Sequence, residues 1–138
     1  SRAALQRLGR EERITEILPI HLMLPQVGQG ALAIEVRNDD VVSKEIVEKI
    51  NDLDAYRCVQ AERSFLAELG GGCSIPCGAY AIPVDSKSIW LRALLAEPRG
   101  RRVARVEIRG EDPIEIGRLC ARELLDDKGG LEIMDMVS

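Results

Sequence analysis

Residues 47–138 of this chain are predicted to form an α+β domain, a small three-stranded antiparallel sheet covered on one face by helices. Three observations carry the prediction. A helical stripe of apolar residues ends at Leu69 in a run of three glycines. Three runs of strand-like alternation follow at hairpin spacing, about Gly78–Val84, Ser88–Ala96 and Arg102–Arg109. Asp112-Pro113 then opens another helix with the cap residue and the proline in the favoured order.

Before this domain the pattern is less regular. Ala4, Leu5 and Leu8 recur at helical spacing until Gly9, so Arg2–Leu8 reads as the last helix of something upstream, and a shorter helical stretch, Glu11–Leu18, leads to Pro19. Val27-Gly28-Gln29-Gly30 places two glycines around one polar side chain, which predicts a sharp loop presenting Gln29. The apolar run Ala31–Val36 after it is strand-like. Asp39 or Asp40 caps a helix from about Val41 to Ile50, with Ile46, Val47 and Ile50 on one face. Asp52 or Asp54 starts the long helix, whose stripe is Ala55, Cys58, Val59, Phe65, Leu66 and Leu69.

In the strands, Ile89, Leu91, Ala93 and Leu95 point one way, and Ala104, Val106 and Ile108 alternate with charged residues. Asp85-Ser86-Lys87 and Pro98-Arg99-Gly100 are the turns. Ile116, Leu119, Cys120 and Leu124 form the stripe of the next helix, and a short one over Leu131–Val137 ends the sequence. Residues 1–46 read as a connector and a strand that belong to another domain. The missing initiating Met and the abrupt helical opening suggest that the sequence begins inside a longer protein.

Composition excludes several functions. With 138 residues, 46% of them hydrophobic and 30% charged, the chain can bury one real core. Its net charge is −4, and basic residues are interspersed with acidic ones. No broad single-sign field is available for nucleic acid or an anionic membrane, so neither is an expected partner and any anion binding is local. No apolar run approaches the roughly 18 residues of a membrane span. Four cysteines, Cys58, Cys73, Cys77 and Cys120, are too sparse for a stapled secreted scaffold, which favours a reducing compartment and a cytoplasmic protein.

Among these thiols Cys73 stands apart. It follows a helix and three glycines, on a corner where the backbone can take conformations closed to other residues, and Pro76 stiffens the exit. That placement suits a thiol reached by something bulky, and a cysteine is a good nucleophile even with a pKa near ~8.5. Spacing alone equally allows a generous helix stop followed by a small packed residue. Cys73 and Cys77 are separated by three residues and the sole histidine, His21, lies far upstream, so no metal site is expected.

Two segments resemble a known family. Leu24-Pro25-Gln26-Val27-Gly28-Gln29-Gly30-Ala31, followed by Ile34-Glu35-Val36-Arg37, is similar to the segment by which porphobilinogen deaminases (hydroxymethylbilane synthases) return from domain 2 to domain 1. Ala61-Glu62-Arg63-Ser64-Phe65-Leu66, then Gly71-Gly72-Cys73-Ser74-Ile75-Pro76, is similar to that family's cofactor-attachment motif, and the likeness continues through Ile89-Trp90-Leu91-Arg92-Ala93. The resemblance implies that residues 1–24 end domain 2, that 25–46 are the return-strand segment of domain 1, and that 47–138 are the C-terminal cofactor-attachment domain. Cys77 stands where other members often carry an aliphatic residue.

The resemblance also implies a function. Such a transferase joins four porphobilinogen molecules into hydroxymethylbilane with loss of ammonia, in tetrapyrrole and haem biosynthesis. Cys73 would hold a covalent dipyrromethane primer through a thioether, with Gly71, Gly72 and Gln29 beside the cofactor. Arg7 matches an arginine of domain 2 that faces the cleft, where a guanidinium can hold a substrate carboxylate through two bonds. The family's acid-base aspartate is absent, so no catalytic residue is expected in this chain, which by itself should be inactive. Its partner would be the missing N-terminal portion of the same enzyme, monomeric when whole. Arg37, Glu62 and Arg63 read as structural charges, and Trp90 as sheet packing. Two other readings stay open: a stand-alone α+β module binding a ligand or partner, and a thiol redox protein using Cys73 and Cys77.

Overall fold

The computed structural model describes residues 2–72 and 74–136. Its elements run α1 (Arg2–Arg7), a 3-10 turn (Glu11–Arg13), α2 (Val41–Glu48) and α3 (Leu53–Glu68), then strands β1 (Cys77–Pro83), β2 (Ile89–Ala96) and β3 (Val103–Gly110), and finally α4 (Pro113–Asp126) and α5 (Gly130–Asp135). The sheet is antiparallel in the order β1-β2-β3. At its centre Ala79 faces Ala93, which faces Val106. This is the α+β architecture that the sequence pattern predicts.

Three of the helices, α2, α3 and α4, start where aspartates can satisfy their free N–H groups. Asp40 accepts from the Ser43 amide at 3.0 Å, Asp52 from the Ala55 amide at 3.0 Å, and Asp112 from the amides of Ile114 at 2.8 Å and Glu115 at 3.1 Å. Because alternate strand residues face opposite ways, Ile89, Leu91, Ala93 and Leu95 enter the core while Trp90, Arg92 and Leu94 face outward. Phe65 of α3, with Cys120 and Leu124 of α4, closes over the buried strand residues. The small side chains Ala61, Ala79, Ala93 and Ala121 let these layers approach closely.

The structure departs from the sequence pattern in four places. Glu11–Leu18 is not a helix beyond the turn at Glu11–Arg13, since Ile17 and Leu18 are exposed and a short helix without a packing surface is not stable. Ala31–Val36 forms no strand among the described residues; Leu32 is 93% exposed, and neither a paired strand nor a covering layer is there to hold the segment extended. The helix α2 stops at Glu48, short of Ile50, and neither Ile46 nor Ile50 is buried, since among the described residues no helix or strand packs substantially on α2. In α4 Leu119 turns outward and Gly117 takes the core position, at the crossing with α3.

Candidate functional site

The corner that leads to Cys73 is built from backbone that only glycine adopts easily. Gly70, Gly71 and Gly72 have φ of 98°, 65° and 122° in succession. The Gly71 amide returns to the Leu66 carbonyl at 2.9 Å, closing the end of α3. A Cβ added at Gly70 or Gly71 would meet nothing within 4 Å, and one at Gly72 only the Ser74 hydroxyl at 3.8 Å. A side chain begun at any of the three would thus meet no close obstruction from the described residues. Cys73 itself lies outside the described residues. Beyond it, Ile75 and Cys77 rest on the core, and the Pro76 carbonyl accepts from the Ala96 amide at 3.0 Å, tying the exit to the end of β2.

The other thiols are in poor positions for attack. Cys58, Cys77 and Cys120 are free, and burial raises the pKa of each, that of Cys120 to about 12. The charge of Glu62 adds to the rise at Cys58. All three are held in the thiol form, which is the unreactive one. Among the described residues no group of three His, Cys, Asp or Glu side chains is placed to hold a metal.

Gln29 stands exposed between Gly28 and Gly30, both at positive φ (71° and 91°), in a loop closed by its own amide on the Gln26 carbonyl at 3.0 Å. Its side chain has no hydrogen-bond partner among the described residues. The loop is held from below by Glu62. This carboxylate is only 6% exposed; it accepts from the Gly28 amide at 2.8 Å and from the Ala81 amide at 2.9 Å. One side chain of α3 thereby joins the Gln29 loop to the free edge of β1. Burial raises its pKa, against the two N–H donors that lower it. Glu62 is thus a structural charge, as the sequence pattern reads it, but a buried one, and the signal for that burial is in the sequence. Glu62 lies four residues after Cys58 and three before Phe65, so it is an acid on the apolar stripe of α3.

A second fastening lies next to the first. The Ala79 amide donates to the Pro25 carbonyl at 3.1 Å, Leu24 is buried, and Val27 packs on the core. Gly78 permits this approach, because a Cβ there would stand 2.9 Å from the Pro25 carbonyl oxygen and 3.1 Å from that of Leu24. Gly78→Ala is expected to push residues 24–28 off β1 at a cost of about 1–2 kcal/mol while leaving the core intact. Hydrogen exchange should then quicken at the amides of Gly28 and Ala79 and stay slow at Leu91 and Leu95. Unchanged exchange at the first pair would rule out this account.

Arg7 ends α1 and is exposed, with no ion pair among the described residues. Of the regular elements α1 packs substantially only on the 3-10 turn, so Arg7 is not brought to the corner or to the Gln29 loop. Two of the sequence-predicted pieces are thus attached to one helix: the glycine corner follows the end of α3, and the Gln29 loop is fastened to α3 through Glu62. Both rest on α3 and the same core.

Comparison with known proteins bears on the same two pieces. Residues 56–126 match the family model described as porphobilinogen deaminase, C-terminal domain, and residues 1–45 match the one described as porphobilinogen deaminase, dipyromethane cofactor binding domain. The porphobilinogen deaminase of Oceanobacillus iheyensis is 45% identical over 136 residues, that of Desulfitobacterium hafniense 41% over 135, and that of Acidithiobacillus ferrooxidans 43% over 135. Each alignment covers 98% of this chain but only 43–44% of the relative. No helix of the described residues is long and apolar enough to cross a membrane. With both motifs on one core, and with identity of this order along nearly its whole length, the chain belongs to the porphobilinogen deaminase family.

Proposed function

We propose that this chain is the C-terminal portion of a hydroxymethylbilane synthase and that Cys73 anchors its dipyrromethane primer. The observation that carries the reading is the glycine corner: three successive positive-φ residues lead directly into Cys73, while the other three cysteines are free thiols whose pKa burial raises. A thioether suits an anchor, since it does not undergo the exchange that would release a disulfide-bound group. When bound, dipyrromethane supplies the end to which pyrrole units are added. The residues of this chain hold and orient. Gly71 and Gly72 leave room, the Gln29 side chain is free to bond a pyrrole substituent, and Arg7 offers a guanidinium to a carboxylate once the rest of the enzyme brings α1 into place. Residues 1–24 and 25–46 belong, on this reading, with domains 2 and 1, and acid-base work falls to the N-terminal portion. The free thiols support a cytoplasmic location.

The test is intact-mass measurement on the complete enzyme. Wild type should carry an adduct of two pyrrole units; Cys73→Ser should lose it entirely, because a hydroxyl is a far poorer nucleophile at neutral pH. Cys77→Ser should load normally. An adduct mapped to Cys77, or retained by Cys73→Ser, would overturn the assignment.

A further inference from the structure

The sheet face turned away from the helices carries charge that the chain leaves unpaired. Ile82, Trp90 and Arg109 lie side by side across the three strands, and Tyr80, Arg92 and Glu107 form the next row. Arg105 lies one row further, opposite Leu94. The guanidiniums of Arg92 and Arg109 each stand 4.6 Å from the centre of the Trp90 ring. Neither of them, nor Arg105, forms an ion pair among the described residues. Nε of Arg92 is buried without a hydrogen-bond partner. Three arginines therefore face one acid, Glu107, in a chain whose net charge is −4.

The adjoining edge is open as well. β3 is terminal in the sheet, and among the described residues no hydrogen bond reaches its backbone from the side away from β2. The opposite edge, at β1, is closed by Pro25 and Glu62. Charged side chains on an edge strand are a common guard against aggregation, but that purpose does not require their charges to be so unequal.

We propose that this face and the β3 edge dock an acidic polypeptide segment in extended conformation. Arg105 and Arg109 are four residues apart on one strand, about 14 Å, which is too far for one small anion to touch both. A segment laid along β3 repeats its side chains at the same interval. Acidic residues flanking a basic or neutral one would then fall opposite Arg105, Glu107 and Arg109, as favourable cross-strand pairs. A guanidinium stacked on an indole still presents its N–H edge, so Arg109 can take a carboxylate through two bonds. RNA fits less well, because Trp90 is already stacked by guanidiniums and its face is not free to stack a base.

Trp90 is the only tryptophan and reports on this face. The chain is titrated with a short peptide that has Glu at every fourth position and Thr between, followed by Trp90 fluorescence and by calorimetry. Wild type should bind saturably, and Arg105→Gln and Arg109→Gln should each weaken binding about tenfold, as loss of one charge-assisted contact requires. Arg105→Gln leaves the Trp90 stack in place, so its reporter stays comparable, and circular dichroism confirms that both variants fold. Three results would each overturn the proposal: wild-type affinity in both variants, an equal response to a peptide with Lys at every Glu position, or tighter binding of an oligouridylate of the same charge.

Discussion

Glu62→Gln is expected to destabilise the fold by about 2–3 kcal/mol at neutral pH, even though the two side chains have nearly the same shape. The carboxylate accepts from two backbone amides, Gly28 and Ala81. An amide side chain keeps one acceptor and turns its NH2 group toward the other N–H, leaving two donors face to face in a buried place. The melting midpoint should fall by roughly 10 °C. Exchange at the Gly28 and Ala81 amides should quicken more than at Leu91, since the bonds lost are those of the clasp. A variant as stable as wild type, with these amides equally protected, would show that Glu62 is not a clasp.

The same residue sets a pH dependence whose direction follows from its burial. Its folded pKa lies above the ordinary value of 4.5. As pH rises from that value toward the folded pKa, the unfolded chain has lost the proton and the folded chain still holds it. Stability contributed by this group therefore falls as pH rises through that window and is level above it. Glu62→Gln removes the titration, so the gap between wild type and variant should narrow as pH rises through the same interval.

How much of this was legible in the sequence depends on what each feature rests on. The sheet, the long helices and their aspartate caps follow from local rules, period two in Ile89–Leu95 and cap chemistry at Asp40, Asp52 and Asp112, and the structure has them where the pattern puts them. The glycine corner was equally readable, because a helical stripe that runs into three successive glycines marks both the end of a helix and a backbone closed to other residues. What local rules miss is contact between distant segments. Ala31–Val36 has strand composition and no strand partner among the described residues, and Glu62 looks like a helix charge until Gly28 and Ala81 are placed beside it. Gly117 is the clearest case, since a glycine inside a helix reads as a defect until the neighbouring helix is known.

That glycine gives the other large effect, and two principles predict opposite signs for it. Gly117→Ala should stabilise α4 by about 1 kcal/mol if helix propensity decided the outcome. Packing argues the reverse. A Cβ at this position would stand 2.5 Å from the Ala61 carbonyl oxygen, 2.6 Å from Cβ of Ser64 and 2.7 Å from the Phe65 amide nitrogen. Two of these atoms are backbone, so no rotamer change relieves the contact, and α3 and α4 must move apart. Separation would also stretch the bond from the Ser64 hydroxyl to the Ile114 carbonyl, now 2.8 Å, and loosen Phe65, which is fully buried. Overpacking of this kind costs about 1–3 kcal/mol before such secondary losses, so the net change should be a loss of about 2–4 kcal/mol. Urea denaturation would show it as a lower midpoint with an unchanged slope. The shift has a functional side, because α3 carries the Glu62 clasp and runs directly into the corner before Cys73. In the complete enzyme Gly117→Ala should also slow primer loading at a temperature where the variant is still folded. A gain of about 1 kcal/mol, as propensity alone predicts, would mean that the two helices do not approach as closely in solution as the structure places them.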